Sequence, residues 1–353
     1  MKKVLLGIVV VLVVLVAVLL LQPAPISAAA YSPPKPDELM GNLAPNQLLK
    51  KAELLALGKI KGPEEVAVDN QGRVYGGTQD GKIMVLLDDG KLDVFADTQG
   101  RPLGMKFDAE QNLIVADASK GLLSIDPQGK ISVLATTHNE VPFKFTDALD
   151  ISSQGIIYFT DASDKFAQTE YLYDLLEAKP HGRLLSYNPK TRQTKLLLKD
   201  LYFANGVALS QQQDFVLVNE TYRYRIVRYW LKGPKAGTHD IFIDNLPGFP
   251  DNITSNGKGT FWLALFTVRN ELMDALHPKP FLKEQMSKLP KVFWPQPEPY
   301  GLVVALNEQA QVIQSLQDPT GEHLKDITSA REYHGYLYLG SLNNDRIGKY
   351  PLP

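Results

Sequence analysis

Acidic and amide side chains recur at matching places along this chain, each near the start of a short strand-like segment. These positions are Glu64, Asp147, Asn205, Asp251 and Asn252. In a repeated fold, equivalent residues converge in space although about 40 or more residues separate them in sequence. No lysine or arginine is found among these positions, so the converging carboxylates would repel one another without a cation. An all-oxygen set favours Ca²⁺ over zinc, and the pattern predicts a calcium site formed by these five side chains.

A structural role is the competing interpretation for each of these side chains taken alone. Asp and Asn near strand ends often accept hydrogen bonds from nearby backbone N–H groups and so stabilise turns. Several such residues at the same position of a repeated unit favour a shared site over independent turns.

The composition gives little support to other common catalytic chemistries. The chain has no cysteine, which excludes disulfides, zinc–thiolate sites and thiol nucleophiles. A Gly-x-Ser-x-Gly segment is also missing, so a serine hydrolase has no motif support. With 37 Lys and Arg against 39 Asp and Glu, the formal net charge is -2, and nucleic acid is not an expected partner.

Strand–turn–strand units are the elements that must position the predicted calcium ligands. The units begin at Glu64, Gly104, Asp147, Asn205, Asp251 and Ile327. Units of about 40–50 residues with four short strands each are typical of a β-propeller. The sequence therefore predicts an all-β fold, a six-bladed β-propeller over residues 51–353, in which residues 54–57 complete the last blade. A β-sandwich is the alternative, but it does not repeat one unit six times.

Two long intervals between units predict loop or helical insertions, at residues 163–180 and 266–299. The second insertion carries apolar residues at roughly helical spacing. One interpretation is an amphipathic segment that rests on a bilayer surface. The other, which we favour, is a lid over the channel mouth, because apolar stripes more often meet protein than lipid.

The N-terminus predicts export of the body. Residues 1–21 place Lys2 and Lys3 before an uncharged apolar run. The run exceeds the about 7–15 residues of a signal-peptide core and suits a transmembrane helix of about 17–25 residues. This favours a retained signal-anchor, although residues 27–30 resemble a cleavage site that would give a secreted or periplasmic protein. In both cases the lysines stay in the cytoplasm. Residues 22–50 are proline-rich and predict an extended spacer.

Several motifs resemble those of the strictosidine synthase-like family, from about residue 50 to the C-terminus. They are the stretches at residues 100–104, 115–118, 142–147, 203–207 and 246–253. The resemblance implies a propeller related to the paraoxonases, gluconolactonases and phosphotriesterase-like propellers. It also implies a channel Ca²⁺ held by Glu64, Asp147, Asn205 and Asp251, where Asp147 departs from the usual Asn of the family.

Two departures from the relatives bear on the reaction. The carboxylate that strictosidine synthases use falls near Thr328 in this chain, so a synthase-type condensation loses its general base. Paraoxonases carry a histidine where this chain has Asp117, so a histidine-based proton relay is not supported.

These observations predict a membrane-anchored, calcium-dependent hydrolase of ester or lactone bonds, resembling arylesterases or lactonases. Ca²⁺ can polarise a carbonyl group, and a carboxylate can accept the proton of the attacking water. Asp251 is the first candidate for that base, followed by Asp147 and Asp117. The expected partners are a small ester or lactone and, through the N-terminal helix, a membrane. The alternatives are a non-catalytic cell-surface binding propeller with structural calcium, and an altered synthase-type condensing enzyme.

Overall fold

A computed structural model of the chain describes residues 20–87 and 89–353. Within these residues, six four-stranded antiparallel sheets form the six blades of a β-propeller, as the repeat predicted. Blade 1 consists of β2–β5, at Val66–Val68, Val74–Gly77, Lys82–Leu86 and Leu92–Asp97. Blade 2 consists of β6–β9, at Pro102–Phe107, Leu113–Asp117, Gly121–Ile125 and Ile131–Ala135. A short hairpin follows, formed by β10 and β11 at Thr137–His138 and Val141–Pro142.

The second half of the chain repeats the same meander. Blade 3 consists of β12–β15, at Thr146–Ile151, Ile157–Asp161, Gly182–Asn188 and Gln193–Leu201. Blade 4 consists of β16–β19, at Ala204–Leu209, Phe215–Glu220, Arg225–Trp230 and His239–Ile243. Blade 5 consists of β20–β23, at Gly248–Ser255, Thr260–Val268, Gly301–Asn307 and Val312–Asp318. Blade 6 consists of β24–β26 and β1, at Ile327–Tyr333, Tyr336–Ser341, Ile347–Pro351 and Glu53–Leu55.

The ring is closed by a strand from the opposite end of the chain. Strand β1 pairs antiparallel with β26, with Leu54 opposite Gly348, which confirms the closure predicted for this segment. The first strand of every blade also contacts the first strands of both neighbouring blades. These six first strands therefore surround the central channel.

Burial follows from the position of each strand in its blade. Inner strands are largely buried because both faces pack against neighbouring sheets, and β7 and β17 are buried at every residue. Outer strands such as β9 leave residues exposed to solvent. The apolar core consequently forms layers between adjacent blades, for example around Phe261 and Phe215 between blades 4 and 5.

Both predicted insertions contain helices. Helix α1 (Tyr171–Glu177) lies between β13 and β14, and helices α2 (Glu271–Leu276) and α3 (Pro280–Ser287) lie between β21 and β22. Asn270 begins α2 by accepting a hydrogen bond from the Met273 N–H, and a proline suits the first turn of α3 because it has no N–H to satisfy. We refer to α1 and residues 269–299 together as the cap.

The proline-rich segment is docked rather than free. Residues 26–31, which we call the strap, run between α1 and α3. Ile26 is buried among apolar residues of the cap, and the backbone N–H groups of Ala29 and Tyr31 donate to the carbonyls of Glu177 and His277. The predicted spacer therefore forms part of the folded body.

The predicted anchor falls almost entirely outside the described residues, which begin at Leu20. Within residues 20–87 and 89–353, none of the helices has the length and apolar character needed to span a bilayer.

Candidate functional site

The predicted ligands lie at irregularities in the inner strands. In β12 the pairing passes from Thr146–Asp161 to Leu149–Phe159, so that Asp147 and Ala148 together face a single residue. The same shift in β16 holds Asn205, and that in β20 holds Asp251 and Asn252. Such β-bulges redirect a side chain and are common beside functional sites. In blades 3, 4 and 5 the fold thus turns a polar residue of the inner strand toward the channel.

Three of the predicted ligands, Asn205, Asp251 and Glu64, are held by side chains of the preceding blade. The Thr160 hydroxyl donates to the Asn205 carbonyl at 2.8 Å, and the Asn219 amide donates to the Asp251 carbonyl. The Thr328 and Ser329 hydroxyls donate to the Glu64 carbonyl at 2.6 and 2.8 Å, respectively.

Blades 2 and 6 do not carry an acid or amide at this position. Leu103 follows Pro102, which pairs with Asp117 as Thr146 pairs with Asp161, so Leu103 stands where blade 3 has Asp147, and the shift in β24 holds Thr328. A Cβ on the neighbouring Gly104 would lie 2.7 Å from the Asp147 carbonyl oxygen, so only glycine lets these two strands approach this closely.

The redirected side chains meet in one cavity of about 330 Å³. Glu64, Asp147, Asn205, Asp251 and Thr328 all line it, and all five are nearly inaccessible to solvent. Among the described residues, neither the Glu64 Oε2 nor the Asn205 Oδ1 has a hydrogen-bond partner. An unpaired buried polar atom is costly, so these two oxygens are poised for a ligand that the polypeptide itself does not supply.

Asn252 is placed differently from the prediction. Its side-chain amide donates to the Glu64 Oε1 at 3.0 Å, and it is not among the residues that line the cavity. In this arrangement Asn252 orients Glu64, and the direct metal contact assigned to it stays a prediction.

Burial and mutual repulsion disfavour the charged form of all three carboxyl groups. Burial, together with the charges of Asp251 and Asp147, raises the pKa of Glu64 well above its usual range. Burial raises the pKa of Asp147 to about 8, although Arg101 opposes this shift. Burial and the charge of Asp147 raise the pKa of Asp251 well above its usual range. Deprotonated carboxylates at this site therefore require a compensating positive charge.

Arg101 corrects the expectation that no cationic side chain lies near the acids. It is 7% exposed, and its Nη1 donates to the carbonyls of Gly62 and Gly77. Its Nη2 has no hydrogen-bond partner within residues 20–87 and 89–353. Arg101 favours the charged forms of Glu64 and Asp147, but one guanidinium does not balance three carboxylates.

The donor set suits a hard cation, since carboxylate and amide oxygens are the ligands of Ca²⁺. In the part of the chain that the structure describes, no three or more His, Asp or Glu side chains are grouped so that they could hold a metal ion. A cation here would therefore depend on the Asn205 oxygen as well, and it would draw the mutually repelling carboxylates together.

The rest of the cavity wall is apolar and comes largely from the cap. Leu172 and Leu175 of α1, Met273 of α2 and Trp294 all line it. The channel side of the wall adds Phe145, Phe203 and Phe249. The cap therefore lies over the cavity, as the lid interpretation predicted, and the site is a polar cluster at one end of an apolar chamber.

Asp117 is not brought to this cavity. It is fully buried, its Oδ1 accepts hydrogen bonds from the N–H groups of Arg101, Ser119 and Lys120, and its Oδ2 accepts one from Thr98. Asp161 holds the corresponding loop of blade 3 in the same way. Because both carboxylate oxygens of Asp117 already accept hydrogen bonds, Asp117 is not a candidate for the general base.

Comparison with known proteins gives a consistent assignment. The chain is 36% identical to adipocyte plasma membrane-associated protein of Rattus norvegicus, with 96% of each chain covered. It is also 36% identical to protein strictosidine synthase-like 6 of Arabidopsis thaliana, with 91% of this chain and 85% of that protein covered. The chain belongs to the strictosidine synthase-like family. Residues 147–234 match the family described as strictosidine synthase, and residues 41–86 match the strictosidine synthase-like N-terminal family.

Solved structures show how widely the fold of this strictosidine synthase-like chain is shared. A gluconolactonase of Xanthomonas campestris has a TM-score of 0.64 at 16% identity, with 94% of this chain and 99% of that chain covered. Regucalcin of Agrobacterium tumefaciens, a calcium-binding protein, has a TM-score of 0.61 at 12% identity, with 85% and 93% covered, respectively. At these identities the likeness establishes the propeller fold.

Proposed function

We propose that this strictosidine synthase-like chain is a calcium-dependent hydrolase of carboxylic ester or lactone bonds. The observation that carries the proposal is the cavity itself, in which three buried carboxyl groups and an unpaired amide oxygen meet at one end of an apolar chamber. The fold shared with a gluconolactonase and with a calcium-binding regucalcin supports the same reaction class and the same ion.

Glu64, Asp147, Asn205 and Asp251 are the residues that would hold Ca²⁺. When bound, the ion supplies Lewis-acid chemistry, which polarises a carbonyl group and stabilises negative charge on its oxygen. Asn252 keeps Glu64 oriented through the 3.0 Å hydrogen bond between their side chains. Thr328 and Ser329 hold the Glu64 backbone from the last blade.

Asp251 is our candidate for the general base. As the water oxygen attacks the carbonyl carbon, Asp251 accepts a proton from that water, and the proton then passes to the departing alkoxide. Asp147 is the second candidate, because it lines the same cavity. The apolar wall formed by Phe145, Phe203 and Trp294 would bind the hydrocarbon part of a substrate and limit competing water.

A metal-controlled hydrolysis assay tests the proposal. The full chain, purified in detergent, is assayed on a panel of aryl esters and lactones with Ca²⁺, with EGTA, and with EGTA plus Mg²⁺. We expect hydrolysis with Ca²⁺ only. Asp251→Asn should lower the rate by about 10²–10⁴-fold, the usual contribution of a general base, and should leave the fold intact. Asp93→Asn, at an exposed position of β5, is the matched control and should hydrolyse normally.

The same assay separates the alternatives. A chain that gains thermal stability from Ca²⁺ but hydrolyses nothing in the panel would be a binding propeller. Full activity in EGTA would refute calcium dependence, and full activity of Asp251→Asn would refute the assigned base. A synthase-type condensation has less support, because Thr328 stands at the position in question and its hydroxyl is bonded to the Glu64 carbonyl.

We also propose that the protein is membrane-anchored through residues 1–21, with the propeller outside the cytoplasm. The name of the rat relative, a plasma membrane-associated protein, supports this placement. In cells whose cytoplasmic membrane is intact, added protease should digest the propeller once it reaches the outer face of that membrane. A tag fused to the N-terminus should stay protected in the cytoplasm. Digestion of the tag together with protection of the propeller would show the opposite topology.

A further inference from the structure

The outer surface of the cap carries an unusual set of exposed apolar side chains. Leu272, Phe281, Leu282, Val292 and Phe293 are 56%, 61%, 44%, 75% and 66% exposed, respectively. None of them lines the cavity. Exposed apolar residues elsewhere on the described surface, such as Val133 and Ile313, lie on separate outer strands of the blades. Five exposed apolar side chains within residues 272–293, two of them phenylalanines, indicate a contact surface rather than random exposure.

The apolar N-terminal run ends on this part of the molecule. Residues 4–21 are uncharged and apolar, and the last described part of the run, Leu20 and Leu21, is exposed. Lys288, just after α3, donates from its Nζ to the Leu20 carbonyl at 3.2 Å. Leu20 therefore lies beside the C-terminal end of α3, the helix that carries Phe281 and Leu282.

The strap makes this connection short and firm. The Ala28 N–H donates to Glu284 of α3 at 3.1 Å, and the Ser27 N–H donates to Glu177 of α1 at 3.0 Å. Lys283 donates from its Nζ to the Ala29 carbonyl at 2.6 Å. A bilayer that holds residues 4–21 would consequently lie within a few residues of the cap surface, with no long tether between them.

The cap carries exposed lysines, Lys279 and Lys291, together with its exposed apolar side chains. Residues 269–299 contain Arg269 and four lysines against four acids, Glu271, Asp274, Glu284 and Glu298. Glu284 is engaged with the strap. Lysines beside exposed aromatic and aliphatic side chains are typical of segments that lie in the headgroup region of a membrane.

We propose that the cap surface formed by Leu272, Phe281, Leu282, Val292 and Phe293 is inserted in the headgroup region of the same bilayer that holds the N-terminal segment. The cap then acts as lid toward the cavity and as membrane contact on its outer side. This places the apolar chamber next to the lipid. The proposal rests on the membrane anchoring through residues 1–21 that is proposed above, and it does not depend on the hydrolase assignment.

Because the chain has no cysteine, single cysteines provide a direct test. The full chain carrying Phe293→Cys, Val292→Cys or Phe281→Cys is labelled with the environment-sensitive fluorophore NBD and inserted in nanodiscs. The matched control is Val133→Cys, at an exposed position on an outer strand of blade 2. Each nanodisc preparation contains either ordinary phosphatidylcholine or lipid with a doxyl quencher on the upper acyl chain.

Interfacial segments insert by about 5–10 Å, so the doxyl lipid should remove about half of the NBD emission at the cap positions. Emission at position 133 should be unchanged. All four positions are solvent-exposed, so the variants should melt at the wild-type temperature, which confirms that they are folded. The proposal would be overturned if the quencher left NBD emission unchanged at all three cap positions in nanodiscs that contain the inserted chain. Energy transfer between cap labels on two copies, without quenching by lipid, would likewise overturn it in favour of self-association.

Discussion

Replacing Asp147 by asparagine should stabilise the chain without calcium and reduce the stabilisation that calcium gives. Asn has nearly the same shape as Asp but carries no charge. In EGTA, the wild-type chain buries Asp147 close to two other carboxyl groups, and its pKa is raised from 3.8 to about 8. Since folding disfavours the charged form, the penalty is absent below pH about 4, grows as the pH rises and levels off above about 8.

The size of the effect follows from that shift. At pH 7 a pKa raised to this extent lowers the free energy of unfolding by at most about 4 kcal/mol. Relaxation around the buried group should reduce this loss to about 2 kcal/mol. Asp147→Asn should therefore melt about 4 °C above wild type in EGTA at pH 7. At pH 4 the two proteins should melt together.

Calcium should narrow this difference in stability. Wild type offers the ion one more negative ligand, so its melting temperature should rise further than that of Asp147→Asn as Ca²⁺ is added. A tenfold loss of affinity would reduce the stabilisation by about 1.4 kcal/mol at saturating ion. Differential scanning fluorimetry across pH and Ca²⁺ concentration measures both effects, with Asp93→Asn as control. Two results would contradict the repulsive cluster. One is an Asp147→Asn protein that melts below wild type in EGTA, and the other is a melting temperature that Ca²⁺ raises equally in both proteins.

Three further predictions concern the supports of the site. Thr160→Val removes the hydroxyl that bonds the Asn205 carbonyl and should cost about 1–3 kcal/mol, whereas Thr160→Ser should not; equal melting temperatures would show that the bond is unimportant. Asp174 is buried with a pKa raised to about 7, so Asp174→Asn should raise the melting temperature at pH 8 and leave it unchanged at pH 4, and a decrease at pH 8 would contradict this. Ile26→Ala should cost about 2–5 kcal/mol of local packing energy. It should expose the cap, but not the blades, to limited proteolysis. If the cap of Ile26→Ala were cleaved as slowly as that of Ile26→Val, the strap would not hold the cap.

The propeller was predictable because the same types of residue recur at the same places in each repeat. Each unit pairs an apolar strand with a Gly- or Asp-containing turn, and the interval between units is long only where an insertion occurs. The four cavity ligands share one offset within the unit, so their convergence followed from the fold. The β-bulges that aim them at the channel depend on pairing register, which the sequence of a single strand does not reveal.

The remaining parts of the site depend on contacts between distant segments. Arg101 reaches the acids through packing of blade 1 against blade 2, and nothing near it in sequence marks that role. Asp117 has the same chemistry as the cavity acids, but backbone N–H groups occupy its oxygens. Asn252 was placed in the correct region, yet its amide points to Glu64. The proline-rich segment looked like a tether because its hydrogen-bond partners lie more than about 100 residues away, beyond any local pattern.

The pairing of β1 with β26 has a consequence for biogenesis. Residues 53–55 are made long before their partner strand, Ile347–Pro351. Until the final blade is made, its outermost strand, β1, has no partner, and the inner strand of blade 1 lacks one of its two neighbours. An exported chain of this design would need protection from aggregation during translocation, and removal of residues 347–353 should leave an open, unstable ring.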